Sequence, residues 1–239
     1  MEIRLIICTV MASVALLSVA ACTYKDTVRS SFIGASKFRE IGSNLYVSHE
    51  IGSEKDREIL KLISDARSRV IAKFGEIESR PRIIVIKGDD EQEKFKLYRA
   101  PGKLLIAPWG NYLILDHDMA GIDVAAHELV HAEIAGRLGY LAKMKKMPTW
   151  LDEGIALQVD YRANYTDLED VDSEELKRIM SLNSPKSFWS DDTNQNLRNY
   201  QSSKVAVSTV VQPALERKGL YGILEEIKKD VGIDEIIGN

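Results

Sequence analysis

The chain has 239 residues, 45% of them hydrophobic and 28% charged, with a formal net charge of −4. That is ordinary globular composition, enough for one compact domain or two small lobes sharing a cleft. A pI near 5.7, with no basic stretch to neutralise phosphates, excludes a general nucleic-acid binder, and the short run Lys143, Lys145, Lys146 reads as a solvated turn.

Residues 1–21 read as a targeting segment. Arg4 gives a modest positive start beside Glu2, and Leu5 to Leu17 form an apolar run interrupted by Thr9 and Ser13. That run is shorter than the roughly 20 residues a bilayer-spanning helix needs. Val19-Ala20-Ala21 then precedes Cys22, which resembles a bacterial lipoprotein signal, where the cysteine after the cleavage site is acylated. An ordinary cleaved signal ending near Ala20 or Ala21 is the alternative. The chain has two cysteines, and Cys8 lies in the segment to be removed. The mature chain therefore keeps Cys22 alone and forms no internal disulfide. Acylation accounts for an unpaired thiol in an exported protein, and two or more acyl chains hold a protein stably at a membrane. The expected location is the bacterial cell envelope. Thr23, rather than Asp, after the cysteine favours the outer membrane in a cell that has one.

Residues 22–40 are polar and aperiodic and read as a tether. Asn44 to Val47 is a short strand candidate. Ser53 looks like the N-cap of a helix over 54–74, with Ile59, Leu62, Ile63, Ala66, Val70 and Phe74 at helical spacing and Gly75 as the stop. Arg82 to Ile86 is a β-branched run between Pro81 and Gly88, hence a buried strand. Strand candidates at 103–107 and 112–115 flank Pro108-Trp109-Gly110-Asn111, a hairpin turn. From Asp123 to Leu138 the pattern is helical. A second helix is expected from Thr149 to about Tyr161. Residues 164–199 read as a loop region with one short helix near 173–182, and two helices, 200–217 and 220–230, close the chain. Strands with one helix, followed by helices only, make an α+β arrangement. The chain divides into an α/β part over 41–139 and a helical part over 140–239.

The informative stretch is Asp123-Val-Ala-Ala-His127-Glu128-Leu-Val-His131. Histidines at i and i+4 project from one helix face, close enough to share a metal ion, and Glu128 beside them can reach a water on that metal. The stripe His127, Val130, His131, Ile134, Leu138 makes this face the buried one, and a buried histidine pair needs a partner. On the next helix, Met147-Pro148-Thr149-Trp150-Leu151-Asp152-Glu153-Gly154 offers a carboxylate; two histidines and one glutamate are a catalytic zinc set.

H-E-x-x-H followed by W-L-x-E-G resembles the gluzincin metallopeptidases, best over residues 120–160. The resemblance implies a zincin-like fold, with a small mixed sheet packed on the active-site helix and a helical C-terminal lobe. It implies His127, His131 and Glu153 as ligands of Zn2+, Glu128 as general base, and a peptide or protein substrate. No G-x-M-E-N stretch lies upstream, so a requirement for a free substrate amine is not carried over. Asp152 reads as a capping-box residue with Thr149, a catalytic carboxylate being the alternative. Asp123 reads as an N-cap, with orientation of an imidazole as the alternative. His117 reads as a loop residue. Tyr200, in Tyr-Gln-Ser-Ser, resembles the Tyr-x-x-Ser helix of minimal gluzincin-like domains. It is either an oxyanion donor or a tyrosine packed at a helix start. The expected function is a zinc-dependent peptidase in which Glu128 moves the proton of the attacking water. The rival is a catalytically idle zinc-binding lipoprotein serving as an envelope scaffold, which has no need of Glu128.

Overall fold

A computed structural model describes residues 25–166 and 171–238; the expected targeting segment over 1–21 and Cys22 lie outside them. Where a tether was expected, Lys25–Ser31 forms helix α1. Thr27 and Ser30 are buried, and Ile33 just beyond is 2% exposed. Periodicity misses this helix because its buried positions are small and polar. The hydroxyls of Ser30 and Ser31 satisfy themselves on the carbonyls of Asp26 and Thr27, one turn back.

Five strands follow: β1 (Arg39–Gly42), β2 (Leu45–Val47), β3 (Arg82–Ile86), β4 (Gly102–Ala107) and β5 (Gly110–Asp116). They form one sheet in the order β1-β2-β3-β5-β4. The β2/β3 and β3/β5 pairs are parallel, and the outer pairs antiparallel. β3 takes the centre because Ile83 to Ile86 are all buried, as a strand covered on both faces requires. β4 and β5 are the expected hairpin, turning at Pro108-Trp109. Helix α2 (Asp56–Phe74) connects β2 to β3, and the short α3 (Asp89–Lys94) follows β3. Ser53 does not cap α2. It opens a 3-10 turn instead, and the turn, not a side chain, receives the first amides of the helix.

Helix α4 (Ile122–Leu138) is the centre of the molecule. Twelve of its seventeen residues are buried, so it is enclosed rather than amphipathic. It packs on α2, β4 and β5. One face of the sheet, through Leu45, Val47, Ile83, Val85, Leu113 and Leu115, shares a core with α2 and α4. The other face, through Tyr46, Ile84, Ile86 and Ile114, makes a smaller core with Ile33, Phe38 and Phe95. Each fully buried aliphatic side chain there contributes about 1.5–3 kcal/mol.

Beyond Gly139, whose φ of +77° ends α4, the described chain is helical. The helices are α5 (Tyr140–Lys146), α6 (Thr149–Ala156), α7 (Ser173–Met180), α8 (Pro185–Phe188), α9 (Thr193–Ala206), α10 (Gln212–Lys228) and α11 (Ile233–Gly238). α9 begins earlier than the expected 200 because Asp192 accepts the amides of Asn194 and Gln195. A π-helical turn, Val207–Val211, joins α9 to α10, which is broken at Gly219 by a φ of +67°. The fold is α+β, an open mixed sheet followed by helices. No described helix is long and apolar enough to cross a membrane.

Candidate metal centre

Helix α6 packs against α4 so that Glu153 meets the two histidines. Nε2 of His127 and Nε2 of His131 are 3.0 Å apart, and each stands 3.4 Å from Oε2 of Glu153. All three side chains are buried. In a tetrahedral shell with ligand bonds of roughly 2.0–2.1 Å, neighbouring ligand atoms lie about 3.3 Å apart. The spacing therefore suits three ligands of one small cation.

The far side of each imidazole strengthens that fit. Asp160, just past α6, sets Oδ2 3.3 Å from Nδ1 of His127, and Asp152 sets Oδ1 3.1 Å from Nδ1 of His131. Both contacts lie within ion-pair reach but off the axis of a full hydrogen bond. A carboxylate at Nδ1 favours the ring proton there and leaves the Nε2 lone pair free. Two lone pairs and a carboxylate oxygen then converge in a buried space, which a metal ion satisfies. Each supporting carboxylate is itself held by a cation. Arg162 donates Nε to both oxygens of Asp160, at 2.9 and 3.0 Å, and the Lys143 ammonium donates to Oδ2 of Asp152. With both imidazoles neutral, as metal ligation requires, Glu128, Asp152, Glu153 and Asp160 against Lys143 and Arg162 leave two surplus negative charges, which a divalent ion cancels.

The titration shifts follow the charges that face each group. Burial pulls the His127 and His131 pKa values down. Asp160 and Glu153 at His127, and Asp152 and Glu153 at His131, outweigh it and raise both. Burial pushes the carboxyls of Asp152, Glu153 and Asp160 up, but the imidazoles and cations facing them hold all three well below the usual range. Glu128 differs: burial raises its carboxyl, and the two histidines only partly oppose that.

The group opens onto a cleft of about 860 Å³ lined by Glu128, Tyr200, Trp189, residues of α5 and α6, and the edge strand β4. Gly154, next to Glu153, is where α6 and α9 touch. A Cβ there would lie 2.5 Å from the carbonyl oxygen of Ser203 and 2.6 Å from Val207. The glycine of W-L-x-E-G is thus a packing requirement, and the close approach it permits places Tyr200 of α9 on the wall of the same cleft. The Tyr200 phenol oxygen accepts from Nε1 of Trp189 at 2.9 Å, and its ring packs edge-on against Phe188, 5.4 Å between centroids. Burial and the charge of Glu153 raise its pKa, so it stays protonated.

Three sequence readings change here. Asp152 caps nothing: Pro148 stands at the N-cap of α6, no side chain caps it, and Asp152 joins Lys143 to His131. Lys143 is accordingly no solvated turn residue; it is 7% exposed, on helix α5. Asp123 lies in the first turn of α4 behind Gly121 at the N-cap. It accepts from Arg69 and from the Tyr161 amide, tying α2 to the segment after α6. The imidazole-orienting role considered for Asp123 falls to Asp160, which lies in irregular chain with no motif around it. His117 is the expected loop residue, 2.6 Å from Asp118.

No family model matches this chain, and no curated protein or solved structure matches it with significance.

Proposed function

We propose that this protein is a zinc-dependent peptidase with a zincin-like fold, exported and held at a bacterial membrane through acylated Cys22. The observation that carries the reading is the convergence of His127, His131 and Glu153 at 3.0–3.4 Å, with Glu128 on the wall of the same cleft. Zinc, when bound by these three side chains, activates water and polarises a carbonyl. Glu128 takes the proton of the attacking water and returns it to the leaving amine. Tyr200 donates to the oxyanion. A peptide substrate is supported by β4. It is an edge strand of the sheet, with Gly102, Lys103, Leu104 and Ile106 along the cleft, and the backbone groups on an open edge can pair with an extended chain.

The test is zinc per chain by elemental analysis, followed by cleavage of a peptide library read by mass spectrometry. One zinc per chain is expected, lost in Glu153→Ala and retained in Glu128→Gln, with cleavage abolished in both. A parent protein that takes up no zinc when supplied with it refutes the metal reading. Undiminished function in Glu128→Gln refutes the hydrolase and leaves the scaffold.

A further inference from the structure

We propose that Trp189 is a positioning residue for Tyr200: its indole N–H occupies a lone pair of the phenol oxygen and turns the phenol's own O–H into the cleft, as donor to the oxyanion. This rests on the hydrolase reading above. An indole nitrogen can only donate, so in the 2.9 Å contact between Trp189 Nε1 and Tyr200 Oη the phenol must accept. The phenol hydrogen therefore points away from Trp189. Among the described residues no side chain or carbonyl accepts it, while the phenol borders the cleft that holds Glu128, His127, His131 and Glu153.

The pair is built to keep that direction. Trp189 is 42% exposed, large for a tryptophan, yet its backbone is fixed on both sides. Asn199 donates Nδ2 to the carbonyl of Phe188 at 2.5 Å, the Trp189 amide reaches Pro185 at 3.0 Å, and the next amide, Ser190, reaches Asn196 Oδ1 at 2.8 Å. Asn199 and Tyr200 are neighbours on α9, so the helix that carries the phenol also fixes the segment that aims it. Phe188 packs edge-on against both Trp189 and Tyr200, limiting rotation of each ring. A donor fixed before reaction needs no reorganisation when negative charge develops.

Two measurements on the full chain test this. The first uses metal-free protein and no substrate. The difference ultraviolet resonance Raman spectrum between the parent and Trp189→Phe isolates one indole, and its N–H band should shift to the weakly bonded position in Tyr200→Phe. A band unmoved by Tyr200→Phe overturns the proposal. The second uses zinc-loaded protein and a peptide cleaved by the parent. Tyr200→Phe should lower kcat about 10²–10³-fold, and Trp189→Phe about tenfold, with zinc content and KM retained. In the Tyr200→Phe background, Trp189→Phe should then cost nothing further. An equal loss in both backgrounds would make Trp189 a substrate contact instead and overturn the positioning role. Loss of cleavage in Glu128→Gln with zinc retained keeps the hydrolase reading separate from either outcome.

Discussion

His127 and His131 sit one turn apart on α4 and face the same chemistry, a carboxylate at Nδ1 backed by a cation, yet the two supports are built differently. At His127 both parts come from one short stretch: Asp160 and Arg162 are two residues apart, and the Arg162 side chain is 33% exposed. At His131 the parts come from two helices, Asp152 on α6 and Lys143 on α5, and the Lys143 side chain is 7% exposed. The first support is local and reaches water; the second is tertiary and sealed. The same orienting task therefore carries different risk. Losing the carboxylate leaves a partly solvated cation, Arg162, at His127 and a stranded buried cation, Lys143, at His131.

The largest expected effect breaks the sealed support. Asp152→Asn should destabilise the metal-free protein by about 3–5 kcal/mol, because Lys143 stays buried without its counter-charge, and should weaken zinc binding about 10–100-fold. Urea unfolding and chelator competition read the two effects. Asp160→Asn should weaken zinc by a similar factor, about 10–100-fold, but cost only about 1 kcal/mol of stability, since Arg162 can turn to solvent. Equal stability losses in the two variants would erase the distinction between the supports. Gly154→Ala should cost about 1–3 kcal/mol by overpacking α6 against α9. Because it strains the ligand helix without touching either carboxylate, thermal melting with and without zinc shows whether the supports tolerate movement of Glu153. The smallest effect lies outside both. Two hydrogen bonds from Arg178 and one from Ser202 hold Glu175 at about 2. A carboxyl lowered on folding stabilises above its ordinary pKa, and that stability is lost as pH falls through the folded value. Glu175→Gln should thus flatten the loss of stability between pH 5 and 2 by about 1 kcal/mol, discounted for solvent screening, as measured by urea unfolding across that range.

What could be read from the sequence follows the same division between local and tertiary. The histidine pair is legible because i,i+4 spacing is a property of one helix. Glu153 is legible because W-L-x-E-G gathers the candidate ligand and the packing glycine within five residues. The buried run of β3, the hairpin at Pro108-Trp109 and the break near Gly219 are likewise short-range signals. Asp160 is not legible, since nothing near it in the chain marks a carboxylate that meets a helix far upstream. Lys143 misleads because its neighbours Lys145 and Lys146 make it look like part of a solvated run, whereas α5 turns this one side chain inward onto Asp152. Helix α1 is hidden by its small polar buried face.

That first helix has a geometric consequence. Only three peptide steps separate Cys22 from Lys25, where α1 begins, and each step spans at most about 3.6 Å, so the reach between them is about 11 Å. With Thr27 and Ser30 buried against the body, α1 has no slack to lend. If Cys22 carries acyl chains, the protein rides on the bilayer like a hull on water rather than drifting on a leash. For the peptidase proposed above, the substrates within reach would then be those lying at the lipid surface, not those free in the space beyond.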